Sequence, residues 1–406
     1  MRVLLSDGSG LTARQAATQL GVAGHEVHVV SPDPLCLARF TRHVKRVHPV
    51  PAYGRDPFGW LDRTLHVLRG GGFDALLPTQ EQAAVLSLEA DRVRKLGVAM
   101  AVPPFAALRR VQDKVAAHAT LTELGLPQPD GFVARSAAAL REPSLPAYLK
   151  KPIGTATSGV QLVRDSAALR DVRPPVLVQK PVAGPVAMVQ SVFDRGRMIA
   201  LHANLRTRLG VNGGASEKRG IHDPVIERHV ARLGGALEWH GALSLDAVLT
   251  DAGPVWIDVN PRLVEPANAW RSGVDLVDAL LTMREQPRGR EGVETRQRLI
   301  AVLGAAQQRG TRRAVLSAMA RRRGPEELTP LRHDPLAAVP VVATAIALLA
   351  RPGLWHRLAG GAVENYALTP EAWEMIQTRS PGLKSASAFT KPSSCFVVQH
   401  SNTPSQ

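Results

Sequence analysis

The chain has 406 residues, long for one domain and suited to two or three. Hydrophobic residues make up 45% and aromatics only 4%, so an ample core is built mostly from Ala, Val and Leu. The formal charge of +15 favours anionic ligands, but the arginines are spread and lack interleaved aromatics, which argues against a base-stacking nucleic-acid surface. Cys36 and Cys395 lie far apart, which excludes a disulfide framework and fits a reducing, cytoplasmic compartment. The opening MRVLLSDG turns polar at once and is not read as a signal peptide.

The first hundred residues alternate strand and helix patterns. Arg2 to Leu5 is an apolar strand, Thr12 to Gly21 has helical spacing, and Glu26 to Val30 is a second strand. A strand end at His48 to Pro51, a helix over Trp60 to Leu68, a strand at 74-DALLP-78, a helix over Gln80 to Leu96 and a short strand near Val98 to Val102 continue the series. Such alternation predicts a parallel sheet covered by helices. A helix over Phe105 to Leu124 then stops at Gly125, with Pro127 and Pro129 beyond. From 131 to 262 the pattern predicts antiparallel strands: 146-PAYLKKP-152, 159-GVQLV-163, 176-VLVQKP-181, 186-VAMVQSVF-193, 197-RMIALHA-203, 243-LSLDAVL-249 and 255-VWIDVN-260. Residues after 285 read as helical and basic, and the Ser-, Lys- and Pro-bearing tail 384–406 is expected to be disordered.

Chemistry concentrates in a few stretches. In 256-WIDVNPR-262, strand alternation puts Asp258 and Asn260 on one face. The turn 251-DAG-253 makes a hairpin that brings Asp246 across from Asp258, so three oxygen donors share a face, as Mg²⁺ prefers. A solvated hairpin face accounts for the same residues equally well. The stretch 149-LKKPIGTATSGV-160 ends a strand in lysines and follows it with small residues, a loop that lets backbone N–H groups approach phosphate beside Lys151. It is not a Walker A loop, because the lysine precedes the glycines. Lys114 alone is an ordinary surface lysine, and 176-VLVQKPVAG-184 alone is a strand running into a polar turn. Finally, 8-GSGLTA-13 with Asp33 fits the short dinucleotide fingerprint, which many nucleotide-free units also carry.

The ordered set resembles the ATP-grasp superfamily of carboxylate–amine ligases, in its carbamoyl-phosphate-synthetase-like and biotin-carboxylase-like branch. The resemblance covers residues 1 to about 285 and rests on the "DK" helix ending in 125-GLPQP-129, 151-KPIGTATSGV-160, 176-VLVQKPVAG-184, 210-GVNGGAS-216 and 238-EWHGALSLD-246 leading to 258-DVNPR-262. It implies a Rossmann-like α/β lead domain with a parallel sheet over 1–104, then an α+β ATP-grasp unit of two subdomains with antiparallel sheets over 105–285. A basic helical C-terminal extension over 286–383 follows. The resemblance further implies that Lys114 and Lys151 touch the phosphates of ATP. The loop bearing Gly154, Thr157, Ser158 and Gly159 would close over them, and Gln179, Lys180 and Val182 would face adenine. Asp246, Asp258 and Asn260 would ligate Mg²⁺, Arg262 would sit near the transferred phosphoryl group, and 213-GGAS-216 would face the acceptor.

The implied reaction is an ADP-forming ligation of a small-molecule carboxylate to an amine through an acyl phosphate, in which catalysis is positioning plus charge neutralisation. The chain departs from the family where Asp258 replaces the usual Glu, where Gln179 and Lys180 occupy a hinge that is often acidic, and where 185-PVAMVQS-191 lacks the acid that grips ribose. These departures keep open a non-catalytic ATP-binding protein, and the 8-GSGLTA-13 turn keeps open a NAD-dependent enzyme. The basic run 311-TRRAVLSAMARRR-323 precedes the uncharged 335-PLAAVPVVATAIALLA-350, which is short for a membrane span and contains Pro340. A helix buried against the ligase core or a partner subunit, as in a homodimer, is the main expectation. Peripheral attachment to acidic lipid through 311–350 is the alternative.

Overall fold

The computed structural model describes residues 1–140, 144–155, 158–321, 324–327 and 334–380. The expected disordered tail and Cys395 lie outside the described residues, as does Thr157.

The lead domain follows the predicted alternation: β1 (Arg2–Leu5), α1 (Leu11–Val22), β2 (Glu26–Ser31), β3 (Val44–Pro49), α2 (Pro57–Gly71) and β4 (Ala75–Leu77), then α3 (Ala83–Leu88) and α4 (Ala90–Arg94). All pairings are parallel, in the order β3-β2-β1-β4. The helix expected over 80–96 is two short pieces, and the strand expected near 98–102 contributes only a single bridge from Ala99 to Ala75. Burial of α1 is unusual in running all the way round, from Thr12 to Leu20, because a later segment covers the face turned away from the sheet.

The helix expected over 105–124 is likewise two, α5 (Phe105–Gln112) and α6 (Lys114–Glu123). Asp113 between them has extended backbone and caps α6 by accepting from the Ala116 N–H at 2.7 Å, which resets the chain direction. A small antiparallel sheet follows from β5 (Gly131–Ala134), β6 (Ala147–Lys150), β7 (Val160–Val163) and β8 (Val176–Gln179), in the order β5-β8-β6-β7.

The large sheet is built from β9 (Val186–Asp194), β10 (Arg197–Leu209), β11 (Ala215–Ile221), β12 (Gly241–Thr250) and β13 (Gly253–Asn260), with α7 (Pro224–Ala236) inserted after β11. After α8 (Ala267–Ser272) and α9 (Leu276–Thr282), β14 (Glu294–Arg296) completes the order β13-β12-β9-β10-β11-β14, antiparallel throughout. Arg195 and Gly196, with φ of 47° and 87°, make the two-residue turn that joins β9 to β10. β11 and β14 do not stand out by alternation, since their residues are mixed or polar, and β5 is only a four-residue apolar run, GFVA.

The C-terminal region is helical, with α10 (Arg298–Arg309), α11 (Arg312–Ala320), α12 (Ala338–Ala350), α13 (Trp355–Glu364) and α14 (Pro370–Thr378). It is stitched into the rest of the molecule. Leu368, Trp373 and Ile376 join the same buried cluster as Tyr53, Phe58 and Trp60 of the lead domain. Ala345 and Leu348 of α12 pack with Val302, Leu303 and Val315, while Val339, Val342 and Ile346 remain exposed on its other face. No described helix is long and apolar enough to cross a membrane.

Candidate functional site

The hairpin β12–β13 has the register expected of it: Asp246 pairs with Asp258, and Ser244 with Asn260. Paired residues of adjacent strands point to the same side, so the two carboxylates and the Asn260 amide share one face. Two carboxylates this close cannot both ionise freely. Burial, and then the Asp258 charge, push Asp246 up to about 7. Burial also acts upward on Asp258, but the charges of Lys114 and Lys150 and a hydrogen bond from Lys114 outweigh it and hold Asp258 below the ordinary range.

Lys114, the first residue of α6, is no ordinary surface lysine. Its Nζ lies 2.9 Å from Asp258 Oδ1, with the two side chains 14% and 29% exposed. The second cation near the carboxylates is one that the sequence did not single out. Lys150, not Lys151, is buried at the end of β6 and donates from Nζ to the Ile257 carbonyl at 2.6 Å. Burial lowers its pKa to about 8. Lys151 is exposed, and its backbone N–H closes the small-residue loop by donating to the Gly159 carbonyl at 2.8 Å.

In that loop Gly154 lies so close to the Ser158 carbonyl that a Cβ would overlap it, and Gly159 has φ of 79°. The Ser158 N–H donates to the Thr155 carbonyl at 3.0 Å. At the end of β8, Gln179 is 3% exposed and its Oε1 has no hydrogen-bond partner among the described residues. Lys180 turns outward to Asp130 at 3.2 Å, and Val182 is half-buried.

Arg262 follows the hairpin and reaches back to the lead domain. Its Nε meets Glu81 Oε1 at 3.0 Å, with side chains 11% and 8% exposed. Glu81 also accepts from Gln112 at 3.2 Å and from Thr155 at 3.4 Å, so it joins the lead domain, α5 and the glycine-bearing loop. On the far side of the same sheet face, Arg206 pairs in register with Lys218 and donates to the Gly213 carbonyl of the 213-GGAS-216 loop at 2.6 Å. Lys218, 1% exposed, meets Glu265 at 2.5 Å and Glu327 at 3.0 Å. Glu265 has φ of 43°, a left-handed conformation that side chains other than glycine rarely adopt.

The donor set suits a hard divalent cation. Asp246, Asp258 and Asn260 offer oxygen atoms, and Asp258 keeps one oxygen beyond its contact with Lys114. Among the described residues no three His, Cys, Asp or Glu side chains cluster to hold a metal unaided. A cation here would therefore draw the rest of its shell from a ligand and water, as Mg²⁺ does.

The glycine turn of the lead domain, by contrast, is already filled. A Cβ on Gly10 would overlap Gln80, one on Gly8 would lie 2.6 Å from Cys36 Sγ, and Ser9 accepts from Asn365 at 3.0 Å. Asp7 holds the turn by accepting from the N–H groups of Ser9 and Gly10 at 2.9 and 2.6 Å, and burial raises its pKa to about 6. A dinucleotide needs this space for its pyrophosphate.

A parallel-sheet lead domain, a small antiparallel sheet with a glycine-bearing loop, and a large sheet carrying paired acids make up a fold of the ATP-grasp type. Residues 111–266 match the family model described as an ATP-grasp domain. A comparison with curated protein sequences finds no match. Among solved structures, the chain is similar to the biotin carboxylase domain dimer of Hydrogenobacter thermophilus 2-oxoglutarate carboxylase, in complex with MgADP, ADP and bicarbonate. That similarity has a TM-score of 0.56 and 14% identity, covering 71% of each chain. It is also similar to the N5-carboxyaminoimidazole ribonucleotide synthetase of Thermus thermophilus, with TM-score 0.55, 18% identity, and 72% of this chain and 81% of that one covered. A third is the L-amino acid ligase of Bacillus licheniformis, with TM-score 0.53, 17% identity, and 69% and 73% covered. At these identities the likeness concerns the fold.

Proposed function

We propose that the protein is a Mg²⁺-dependent, ADP-forming ligase that joins a carboxylate to an amine. The observation that carries this reading is the pairing of Asp246 with Asp258 on one sheet face, with Lys114 and Lys150 turned to the same acids. Asp246, Asp258 and Asn260 would hold Mg²⁺, which supplies charge neutralisation for the phosphates and orients them. Lys114 and, at neutral pH, Lys150 stand near the same acids as positive charges for a polyanion. Lys151, Gly154, Ser158 and Gly159 provide the loop that would cover the phosphates, with Thr157 in the same stretch of sequence. Gln179, Lys180 and Val182 would flank the base.

In the reaction, a carboxylate oxygen of the substrate attacks the γ-phosphorus of ATP. The bond to the β,γ-bridging oxygen breaks and ADP leaves with that electron pair. The amine then attacks the acyl carbon of the resulting acyl phosphate, the carbon–oxygen bond breaks, and inorganic phosphate departs. The nitrogen releases its proton to phosphate or water. Arg262 would stabilise charge on the transferred group, and the chain contributes position and electrostatics, not a covalent nucleophile.

The shorter Asp258, engaged by Lys114, favours a second reading in which the site binds ATP without turning it over. One experiment separates them. The full chain is given MgATP with a panel of small acids and amines, and nucleotide products are resolved. Mg²⁺-dependent ATP binding with release of ADP supports the ligase. Binding without turnover supports the second reading, and release of AMP or absence of ATP binding sinks the first.

A further inference from the structure

The chain leaves β1 toward β2 on one side and returns to β4 on the other. In sheets of this kind, ligands are held in the crevice beyond the strand carboxyl ends at that reversal. Here Ser6 and Thr79 tie the two sides together, the Thr79 N–H donating to Ser6 Oγ at 2.9 Å, and Gln80 closes the side of the glycine turn against Gly10, which leaves the side at Glu81. The Glu81–Arg262 pair links this crevice to the end of the metal-binding hairpin. A ligand carrying both charges could meet each member of the pair with the opposite sign.

The neighbouring polar atoms say which groups would carry those charges. Gln80 Oε1 and Gln112 Oε1 are buried acceptors with no partner among the described residues, and Gln112 has committed its Nε2 to Glu81. What this corner lacks is N–H donors, and a primary ammonium brings three. Among the described residues, Arg262 spends Nε on Glu81 and makes one further side-chain contact, from Nη1 to the Leu263 carbonyl at 3.5 Å. Its fork therefore retains donors for a carboxylate. Its charge also acts on Asp246 and Asp258, so a carboxylate held there lies toward the phosphoryl-transfer side of the cleft.

Building on the ligase reading above, we infer that the carboxylate substrate is an α-amino acid that inserts as a zwitterion between Glu81 and Arg262. Its ammonium is anchored by Glu81 and the two glutamines, and its carboxylate, at Arg262, is the group that takes the γ-phosphoryl of ATP. The bond to the bridging oxygen breaks and ADP leaves; the amine then attacks the acyl carbon of the aminoacyl phosphate, the carbon–oxygen bond breaks, and inorganic phosphate departs. Glu81 is the specificity-determining residue. A ligand without the ammonium would part Glu81 from Arg262 with no cation in return and leave the two buried amide oxygens unpaired, an arrangement that rejects analogues strongly.

The test uses the full chain with MgATP and hydroxylamine as a general nucleophile, reading ADP and hydroxamate. The probes are the free amino acids, their N-acetyl derivatives and the matching acids that lack the amino group. At least one amino acid should be used, with kcat/KM for its N-acetyl and des-amino forms lower by roughly 100-fold. Glu81→Gln should shrink that discrimination below about tenfold while calorimetry still detects MgATP binding. Equal use of the des-amino acid, or undiminished discrimination in Glu81→Gln, would overturn the inference. MgATP binding with no response to any amino acid would overturn it alone. Absence of MgATP binding would overturn the ligase reading and this inference with it.

Discussion

Asp246 lies directly across from Asp258, and the two carboxylates divide the cost of proximity unequally. Asp258 takes the hydrogen bond from Lys114 and stays ionised, while burial and the Asp258 charge raise Asp246 to about 7. Between about pH 4 and pH 7 the folded chain keeps a proton that the unfolded chain has lost, so stability falls as pH rises through that window. Under the proposed function, a divalent cation would replace that proton. The melting temperature of wild type should therefore rise more on adding Mg²⁺ at about pH 8 than at about pH 5.5. Asp246→Asn should flatten both the pH slope and the Mg²⁺ response. An unchanged Mg²⁺ response in that variant, measured by thermal denaturation, would remove Asp246 from the cation site.

Lys150 gives a second pH signature. Its pKa of about 8 means that it loses its charge within an accessible range, whereas Lys114 is held charged by Asp258 once burial is outweighed. Under the proposed function, MgATP affinity should fall as pH rises through about 8, by at most about tenfold per pH unit for one proton. Lys150→Arg should keep its affinity level between about pH 7 and pH 9, because guanidinium stays protonated. Titrations of nucleotide binding at several pH values would show the difference, and a flat wild-type curve would rule out Lys150 as a phosphate contact.

What the sequence made readable was local. The hairpin could be placed because Asp258 and Asn260 alternate with apolar residues and the 251-DAG-253 turn sets the register. The parallel lead sheet was visible in its strand and helix periods, and the helix break at Asp113 was missed because its cap is a single side chain. The site contacts that went unseen are long-range. Lys150 donates to the Ile257 carbonyl, 107 residues away, and Arg262 meets Glu81 across 181 residues. No period in the chain records either encounter. The acidic pair 326-EE-327 was likewise passed over inside a segment read only as basic.

Glu327 shows what that segment does. It is 0% exposed and accepts from Lys218 at 3.0 Å, Gln15 at 3.1 Å, Gln297 at 2.6 Å and Thr295 at 2.5 Å. Nearby, Asp334 meets the buried Arg14 of α1 at 3.3 Å, so Glu327 and Asp334 tie α1 of the lead domain to the large sheet. Removing one member of a buried pair strands the other's charge, at a cost of about 3–5 kcal/mol. Glu327→Ala should lose stability on that scale in urea denaturation, and Glu327→Gln less, since it keeps some of the hydrogen bonds. A loss below about 1 kcal/mol for Glu327→Ala would mean that Glu265 alone satisfies Lys218.

The filled glycine turn makes a negative prediction about cofactor choice. Gln80 and Cys36 crowd Gly10 and Gly8, and Asn365 bonds Ser9, so the full chain should show no saturable NAD binding by calorimetry. Saturation by NAD would require these side chains to withdraw and would revive the dinucleotide reading of 8-GSGLTA-13.

Gly154 tests the loop beside the lysines. A Cβ there would overlap the Ser158 carbonyl, which is backbone and cannot swing aside as a side chain would. Gly154→Ala must therefore open the 154–159 loop, whose N–H groups are the proposed cover for the phosphates. Loss of such contacts should weaken MgATP binding by about tenfold or more, since each charge-assisted hydrogen bond contributes roughly 1.5–3 kcal/mol. Gly70→Ala is the matched control, because nothing lies within 4 Å of a Cβ at that helical position. Equal MgATP affinities for the two variants, by calorimetry, would place the phosphates away from this loop.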